Sequence, residues 1–533
     1  MLNKALLAAS AGLTAAISAS AAPPVIYNLG IYPGGTESHG AAVSHDATYV
    51  TGYGDYIFNN QTFYYAFRWS IAGGLVNLGT PANITTTAGN SMDYNGIGIA
   101  GNGSNKLFRW TVGGGMQNLG LLTGGTLGLA TGISGDTNIV VGYSNTTGGN
   151  TYAVKWVNPG GGGLTVLPSL PNGVFGSAAY GISSDGSTIV GGSTWSGSGY
   201  RAVRWLPGNI VQDLGPLAGA TDLRAYAISK NNVVIVGDAQ IPSGDRIFRY
   251  VNATMQNLGT PFGTTDSYSR STNFDGKVVT GRAKIGLNTY RACYWSTNTG
   301  MLDLATWVTS LGGNLTGWVL EESWGVSNDG SAIAGTGTFN GQRRAFLIKG
   351  LPCPSVATII TDPVDRAVCA DPNSSATLGM TIEAPGDVTY QWSVESPPDS
   401  GVFEPITGPV FVDSTGQFSF EVAGWDGPEI TITGARAVGP IKDIKFGGGV
   451  TNPCGTVSTS VARVALCTSD LTCDLVVDDA DFVQFAAAYN DLICPGGTPG
   501  VPDFCPGDLN YDGFVDDADF VIFAAAYDQL LCV

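Results

Sequence analysis

The sequence is poor in charged residues and histidine, and poor in cysteine before its last third. Of 533 residues only 12% are charged and only two are histidine, His39 and His45, whereas 77 are glycine. This composition disfavours long solvent-exposed helices and fits many short strands joined by tight turns. No HExxH motif and no phosphate-binding loop occurs, so we expect no hydrolytic machinery based on histidine.

Long apolar runs are also missing after the first residues. No later stretch approaches the roughly 18 apolar residues that a membrane-spanning helix needs. Near the start of the chain, Lys4 precedes an apolar stretch rich in Ala and Ser, which ends in the small residues Ala19-Ser20-Ala21. This order is typical of a cleaved secretory signal peptide. A membrane anchor is the alternative, which Pro23-Pro24 directly afterwards disfavours. We therefore expect residues 1–22 to be removed and the mature protein to be secreted or displayed at the cell surface.

Positive charge is scarce. The formal net charge is -18 and the calculated pI is about 4.3. Such a surface repels the phosphates of nucleic acids and the head groups of anionic lipids. We expect neither as a partner.

The cysteines are concentrated near the carboxyl terminus. Eight of the nine are Cys353, Cys369, Cys454, Cys467, Cys473, Cys494, Cys505 and Cys532. An even number in an exported protein predicts disulfides. Cys293 stands alone in YRACYW, at the position that Val203 occupies in YRAVRW. It is expected to be a buried free thiol that packs as a small apolar residue.

An internal repeat dominates the first two thirds of the chain. Its clearest copy, residues 180–215, holds the apolar runs YGIS, TIVGGS, YRAVRW and IVQDLG, separated by Asp-Gly, Ser-Gly and Pro-Gly breaks. These breaks favour turns, so each run is predicted to be a strand. Four strands per repeat of forty-odd residues are typical of a β-propeller blade.

Two tallies of the repeat agree on seven copies. The third strands are YYAFRW to Trp69, KLFRW to Trp110, YAVKW to Trp156, YRAVRW to Trp205, RIFRY to Tyr250, YRACYW to Trp295 and RRAFLI to Ile348. The fourth strands also number seven, but the first of them, Val25–Gly30, precedes the first complete repeat. We expect this N-terminal strand to pair into the last blade and close a seven-bladed propeller over residues 23–350 without leaving an exposed sheet edge.

Charged residues recur within the repeat. The third strand carries Arg68, Arg109, Lys155, Arg204 and Arg249 at equivalent places, opposite in face to the aromatic residues, which we expect to pack between blades. These cations form a ring that could bind an anion, but we expect each to pair with a turn carboxylate of its own blade. The turn aspartates Asp46, Asp185, Asp275 and Asp329 are expected to accept local backbone hydrogen bonds.

The pattern NLG…GG…A.GIS.DG..IVG……AFRW….M..LG resembles the bacterial extracellular repeats called HAF repeats, over about residues 25–350. The resemblance implies export and a propeller. It implies no known activity.

A second module is expected over residues 351–467. It resembles an immunoglobulin-like β-sandwich, and its best marker is Tyr390-Gln391-Trp392, in which the tryptophan would fill the space between two sheets. No Tyr-x-Cys precedes Cys454, and the pairing of Cys369 with Cys454 and Cys353 with Cys467 is one of three possibilities. We interpret this module as a spacer or an adhesive domain.

The C-terminal module, residues 468–533, contains a twelve-residue calcium loop. Its predicted ligands are Asp508, Asn510, Asp512, the backbone of Phe514, Asp516 and Asp519. Gly513 at the sixth position permits the sharp bend of an EF-hand-like loop. A stripe of Phe520, Phe523, Ala524, Tyr527 and Leu531 at helical spacing predicts a helix after the loop.

The same motif occurs 38 residues earlier, VDDADFVQFAAAYNDLIC against VDDADFVIFAAAYDQLLC. The equivalent ligands are Asp470, Thr472, Asp474, Val476, Asp478 and Asp481. Leu475 replaces the bend glycine and Thr472 replaces Asn510. We expect this degenerate first loop to bind calcium weakly or not at all.

Duplicated loop-helix units with Asp at position twelve resemble dockerin type I modules. The resemblance implies that calcium folds the module and that the helices present a docking face to a cohesin-like partner. The residues at loop positions ten and eleven, Asp479-Ala480 and Asp517-Ala518, differ from the hydroxyl pairs familiar in that family.

Two functions are compatible with these features. The first is a secreted, non-catalytic binding or structural protein whose propeller is displayed through the calcium-binding module. The alternative is a dockerin-bearing carbohydrate-active enzyme, which would need a carboxylate pair in the propeller opening to hydrolyse a polysaccharide. The sequence itself nominates no such pair.

Overall fold

The computed structural model describes residues 22–81, 84–158, 163–171, 173, 176–195, 199–261, 263–354, 356–369, 373–384, 388–437, 443–452, 454–467, 469–474, 476–491, 507–509 and 514–527. The predicted signal peptide lies outside these residues, except for Ala22. The chain divides into two compact units. The first runs to Thr272 and continues over Val278–Pro352, and the second comprises Asn273–Lys277 and the chain from Cys353. No helix in the described part of the chain is long and apolar enough to span a membrane.

The first unit is built from antiparallel strands in seven four-stranded sheets, counted over its described residues. The chain enters with β1 (Val25–Asn28). The first three sheets are β2 (Ser38–Val43), β3 (Val50–Phe58), β4 (Gln61–Ser70) and β5 (Gly74–Asn77); β6 (Ala88–Met92), β7 (Gly98–Gly103), β8 (Lys106–Thr111) and β9 (Gly115–Gly120); and β10 (Gly128–Ile133), β11 (Ile139–Asn145), β12 (Thr151–Val157) and β13 (Thr165–Val166).

The remaining sheets follow the same order. They are β14 (Ser177–Ile182), β15 (Ile189–Thr194), β16 (Tyr200–Leu206) and β17 (Ile210–Asp213); β18 (Asp222–Ile228), β19 (Ile235–Ile241), β20 (Gly244–Val251) and β21 (Thr254–Asn257); β22 (Asp266–Thr272), β23 (Val278–Gly286), β24 (Thr289–Ser296) and β25 (Gly300–Asp303), followed by helix α1 (Leu304–Ser310); and β26 (Trp318–Val326), β27 (Ala332–Phe339) and β28 (Gln342–Lys349).

The seventh sheet is completed by the start of the chain. Strand β1 pairs antiparallel with β28, with Val25 opposite Lys349 and Asn28 opposite Phe346. The predicted pairing of the N-terminal strand into the last repeat is therefore confirmed. It leaves β28 covered on both edges, which removes an exposed row of backbone donors and acceptors.

The apolar core of this unit lies between consecutive sheets. One cluster of buried side chains joins each sheet to the next, from Phe108 between the first and second sheets to Phe346 between the sixth and seventh. A further cluster joins the seventh sheet to the first through Leu347, Phe67 and Trp69. The predicted packing of Phe67 and Trp69 between sheets is thus confirmed. This radial packing of four-stranded sheets is that of a β-propeller.

A glycine on each second strand fits against a bulge in the first strand. At Gly191 an added Cβ would lie 2.0 Å from the carbonyl oxygen of Ala178, and equally short contacts recur at every repeat. The seven equivalent residues are Gly52, Gly101, Gly142, Gly191, Gly237, Gly281 and Gly335. Close backbone approach therefore explains the invariant glycine of the IVG element.

The second unit contains a two-sheet sandwich. Its strands are β29 (Thr358–Thr361), β30 (Arg366–Cys369), β31 (Ser375–Gly379), β32 (Thr381–Glu383), β33 (Thr389–Glu395), β34 (Phe403–Pro405), β35 (Val410–Val412), β36 (Phe418–Ala423), β37 (Glu429–Ala437), β38 (Asp443–Asn452), β39 (Gly455–Ser458) and β40 (Ala462–Cys467). One sheet has the order β30-β40-β38-β33-β34 with β39 beside β38, and the other has the order β31-β37-β36-β35. Strands β29 and β32 pair with each other in a separate two-stranded sheet. Trp392 on β33 is fully buried in the core that both sheets share, as predicted.

Within its described residues, the second unit also holds two helices and two disulfides of which both cysteines are described. Helix α2 spans Asp479–Asp491 and α3 spans Asp517–Tyr527, so the predicted helix after each acidic loop is confirmed. Cys353 pairs with Cys454, and Cys369 pairs with Cys473. None of the three arrangements of Cys353, Cys369, Cys454 and Cys467 among themselves is therefore formed, because Cys369 pairs outside that set. Cys467 is also disulfide-bonded.

Candidate functional site

The first acidic loop gathers three of its predicted ligands. Carboxylate oxygens of Asp470, Asp474 and Asp481 all lie within 4.8 Å of one another. Asp470 and Asp481 are buried, whereas Asp474 is exposed. Oxygen ligands at this spacing suit a calcium ion, which takes six to eight of them. The loop that the sequence marks as degenerate nevertheless has an assembled carboxylate cluster.

Backbone hydrogen bonds hold the position-twelve carboxylate of this loop. Asp481 accepts from the backbone N–H of Thr472 at 2.8 Å and from that of Asp478 at 2.9 Å. The buried Oγ1 of Thr472 has no hydrogen-bond partner among the described residues. A hydroxyl oxygen at loop position three is a suitable additional calcium ligand, so the residues present fit this ion.

The second loop repeats that arrangement where it is described. Asp519 is fully buried and accepts from the backbone N–H of Leu509 at 2.7 Å and of Asp516 at 3.0 Å. Asp508 is buried as well, and Phe514, whose backbone is the predicted ligand, has an exposed side chain. The predicted ligands Asn510 and Asp512 lie outside the described residues. The second calcium site therefore stays a prediction.

The two helices pack through aromatic rings. Phe485 of α2 stacks on Phe523 of α3 with centroids 4.8 Å apart, and both side chains are 1% exposed. The predicted stripe is only partly buried, because Phe520 is 44% exposed, while Leu531 lies outside the described residues. The face of α3 that packs against α2 is therefore narrower than the apolar stripe in its sequence.

Three of the third-strand cations contact the neighbouring sheet rather than a carboxylate of their own blade. Arg68 Nε donates to the Gly96 carbonyl at 2.7 Å, and Arg109 Nε donates to the Thr137 carbonyl at 2.7 Å. Lys155 donates to Asn209 of the following sheet at 2.6 Å. The prediction that each cation pairs with a turn aspartate of its own blade is wrong for these three. They instead tie each sheet to a turn of the next.

Arg204 gives a fourth exception. Its Nε donates to Gln212 on the paired strand at 2.9 Å, and that partner is an amide rather than a carboxylate. Arg249 lies with its guanidinium 5.9 Å from the centroid of the Trp295 ring. A charged-residue pattern alone therefore did not identify the partners of this series.

The turn aspartates behave as predicted. Asp185 accepts from the backbone N–H of Ser187 at 3.0 Å, and Asp46, Asp275 and Asp329 accept from the residue two positions later in the same way. Burial raises the pKa of Asp185, but hydrogen bonds from Ser183 and Ser187 outweigh it and lower the pKa below its ordinary value. The hydrogen bonds that these carboxylates accept therefore stabilise the turns.

The first strands of the first unit surround a central cavity of about 640 Å³. Each first strand has a bulge residue that is skipped in the pairing with the second strand, as Tyr180 is between Ala179 and Gly181. The first strand of the seventh sheet has two, Glu321 and Trp324. A bulge redirects a side chain out of the regular alternation of the strand. One bulge residue from each of the seven sheets lines the cavity: Ala41, Asn90, Thr131, Tyr180, Tyr226, Arg270 and Trp324.

The charged residues of the cavity are mainly cationic. Lys230, Arg270 and Arg343 line it together with a single carboxylate among the described lining residues, Glu322. Glu322 is paired with Arg282 at 2.7 Å, and Arg343 is paired with Glu321 at 3.1 Å. The carboxylate pair that a polysaccharide hydrolase would need is therefore not present among the described residues that line this cavity.

Aromatic side chains form one wall of the cavity. The rings of Tyr180 and Tyr226 lie 4.8 Å apart, and Tyr143 meets Tyr180 edge to face at 6.3 Å. Burial raises the pKa of all three tyrosines, so their hydroxyls are protonated donors at neutral pH. On the other side, His39 stacks on Tyr53 at 4.5 Å.

Sequence reasoning missed this cavity, although a signal was present. The bulge residue is the variable position in the A-x-GIS element of the repeat, occupied by Thr131, Tyr180 and Tyr226 in the copies closest to the pattern. A variable position inside a regular motif indicates a residue that is free to specify a ligand. Cys293, by contrast, is buried and free as predicted.

Neither a protein-family model nor a curated protein matches the chain. Among solved structures, TolB from Acinetobacter baumannii is 13% identical with a TM-score of 0.35, over 57% of this chain and 81% of TolB. A putative TolB from Agrobacterium tumefaciens is 14% identical with a TM-score of 0.35, over 51% and 92%. Prolyl oligopeptidase B from Galerina marginata is 11% identical with a TM-score of 0.33, over 61% and 48%. The fold assignment rests on the sheets of this chain and not on these remote similarities.

Proposed function

We propose that this chain is a secreted, non-catalytic binding or structural protein, in which a seven-bladed propeller is displayed through an immunoglobulin-like module and a calcium-binding, dockerin-like module. The observation that carries the proposal is the cluster of Asp470, Asp474 and Asp481, whose carboxylate oxygens lie within 4.8 Å of one another. Three carboxylates at that distance repel one another unless a cation or protons neutralise them. A divalent cation is the simplest partner.

The seven-bladed ring is supported by the core. A buried cluster joins the seventh sheet to the first as well as each sheet to its successor. The immunoglobulin-like assignment is supported by the sandwich around Trp392, which donates from its indole N–H to the Gly427 carbonyl at 3.0 Å. The seven-bladed ring and the immunoglobulin-like sandwich are proposed as the architecture of the protein, and neither implies a chemical activity.

Calcium would be held by both acidic loops. In the first loop the ligands would be the carboxylates of Asp470, Asp474, Asp478 and Asp481, with Thr472 and the backbone of Val476. In the second they would be Asp508, Asn510, Asp512, Asp516 and Asp519, with the backbone of Phe514. When bound, the ion neutralises the clustered carboxylates and thereby favours the folded loops. Because Leu475 replaces the bend glycine, the first loop is the weaker site.

The helices after the loops are the proposed docking face. Each presents the same exposed apolar pair, Phe482-Val483 on α2 and Phe520-Val521 on α3, with exposed fractions of 44% and 67% against 44% and 66%. Exposed apolar side chains that recur at equivalent positions suit a protein partner. A cohesin-like protein is the partner that the dockerin resemblance implies.

The test is calorimetric titration of calcium into the full-length protein after metal removal, with disulfides intact. Two matched variants, Asp519→Asn and Asp481→Asn, each remove one charge at position twelve of one loop. We expect a tight site that Asp519→Asn abolishes and a weaker one that Asp481→Asn abolishes. The absence of calcium binding in the wild-type protein would refute the proposal, and unchanged binding in Asp519→Asn would refute the assignment of the second loop.

A further inference from the structure

Two cations of the central cavity have no ion-pair partner. Lys230 forms neither a hydrogen bond nor a salt bridge with any described residue, and Arg270 donates from Nη1 to the Ser269 carbonyl at 2.9 Å as its only hydrogen bond within the described part of the chain. The guanidinium of Arg270 lies 4.5 Å from the centroid of the Trp324 ring. The other two charged lining residues, Glu322 and Arg343, are paired.

Cations that are partly removed from water and form no ion pair are costly unless an anion neutralises them. Burial lowers the pKa of Lys230, although Asp93 opposes this shift. Burial together with Arg282 lowers the pKa of Arg270, against the opposing effects of Asp238 and Glu322. The protein as a whole carries a net charge of -18, so a cationic cavity stands out against its surface. The charge distribution therefore favours an anionic occupant.

The remaining lining fits a ring that bears hydroxyl groups. Tyr143, Tyr180 and Tyr226 supply aromatic faces and protonated hydroxyl donors along one wall. Aromatic faces bind the apolar C–H faces of rings, and the hydroxyls suit polar substituents. The volume of about 640 Å³ lies within the range of small-molecule sites, which is roughly 300–1,000 Å³.

We propose that the central cavity binds an acidic sugar, whose carboxylate is bound by Lys230 and Arg270 and whose ring lies against the tyrosine wall. Arg270, Tyr180 and Tyr226 are bulge residues of the first strands, so the strand bulge is the device that turns this repeat into a binding site. The inference deepens the proposed binding role of the propeller. It does not depend on the calcium loops, which lie in the other unit.

The experiment is calorimetry with full-length protein and three probes: digalacturonate, its fully methyl-esterified form, and inorganic phosphate. Digalacturonate is expected to bind, and the ester, which keeps the ring and loses the charge, is expected to bind at least about tenfold more weakly because charge-assisted hydrogen bonds are lost. Equal binding of the ester, tighter or equal binding of phosphate, or no binding of digalacturonate would each overturn the proposal.

Variants locate the site. Lys230→Gln is expected to weaken digalacturonate binding at least about tenfold, as for loss of a charge-assisted hydrogen bond, and Lys230→Arg to retain it. Arg204→Gln removes the same charge from a residue that does not line the cavity and is expected to change nothing. Undiminished binding in Lys230→Gln would overturn the proposal. Circular dichroism verifies that each variant folds, and calcium titration of the same samples shows separately whether the proposed calcium sites are present.

Discussion

Tyr489 at the end of α2 donates a hydrogen bond to Asp517 at the start of α3, with 2.5 Å between the oxygens. Tyr527 at the end of α3 donates to Asp479 at the start of α2 in the reciprocal way. Asp517 lies 38 residues after Asp479, and Tyr527 lies 38 residues after Tyr489, so the two hydrogen bonds join equivalent residues of the repeat. The duplication in the sequence is therefore a twofold relationship in the structure, in which each helix ends against the beginning of the other.

The aromatic contacts obey the same relationship. Phe482 lies 6.0 Å from Phe523, and its counterpart Phe520 lies 6.1 Å from Phe485. The aspartates at loop position ten, Asp479 and Asp517, already accept hydrogen bonds from tyrosines within the module. A partner that binds the helices would have to use other residues, such as the exposed Val483 and Val521.

The buried aromatic pair should carry much of the stability of the helical module. Phe523→Ala removes a side chain that is 1% exposed and is expected to cost about 3–5 kcal/mol of unfolding free energy, because it leaves a cavity beside Phe485. Phe520→Ala on the same helix removes a ring that is 44% exposed and should cost far less. Urea unfolding followed by the helical circular dichroism signal measures both. Equal losses would contradict the packing described here.

The repeat glycine offers a test of the propeller core. An alanine at residue 191 would place its Cβ 2.0 Å from the Ala178 carbonyl oxygen, so Gly191→Ala is expected to destabilise the first unit by about 1–3 kcal/mol, as over-packing does. Gly148→Ala is the matched control, because no atom lies within 4 Å of the added methyl group. Thermal unfolding monitored by tryptophan fluorescence distinguishes them. A stable Gly191→Ala protein would show that the strands can separate at the bulge without loss.

Asp238 predicts a pH dependence of stability. Burial raises the pKa of its carboxyl from 3.8 to about 6, against the opposing effects of Arg270 and of hydrogen bonds from Ser269. The folded state therefore binds this proton more tightly than the unfolded state does. The contribution of Asp238 to the free energy of unfolding is greatest below about pH 4. It declines by about 3 kcal/mol in all as the pH rises through about 6.

Asp238→Asn should remove that decline. The comparison is the difference in urea unfolding free energy between wild-type and variant protein from pH 4 to 7.5. His39, whose pKa is lowered by burial, acts in an overlapping pH range with the opposite sign, but it is present in both proteins and cancels in the difference. A difference that does not vary with pH would rule out the raised pKa.

The sequence predicted the architecture well where local signals and burial agree. Period-two alternation and Asp-Gly turns placed the third strands, and the unmatched strand at Val25 predicted the pairing with β28. The hydrogen-bond partners of turn residues such as Asp185 lie within two positions in the sequence, so these hydrogen bonds can be predicted from the sequence. Trp392 was found for a similar reason, because a large aromatic residue in a short strand needs a core.

The central cavity was missed for a physical reason. Regular alternation assigns each strand residue to one of two faces, whereas a bulge adds a residue and redirects it, as at Tyr180 and Arg270. The partners of Arg68 and Arg109 were mispredicted because backbone carbonyls of a neighbouring sheet leave no charge pattern. The pairing of Cys369 with Cys473 joins two predicted modules, and spacing alone does not specify such a partner.

The most direct test of the account is hydrogen exchange of the full-length protein by mass spectrometry, with calcium and with a chelator. The amides of Thr472 and Asp478 donate to Asp481, and those of Leu509 and Asp516 donate to Asp519, so they report on the two position-twelve carboxylates. We predict that calcium slows exchange in peptides covering both loops, more strongly in the second, and leaves peptides from β15 and β16 unchanged. Exchange in both loops that is the same with and without calcium would contradict a calcium-dependent module.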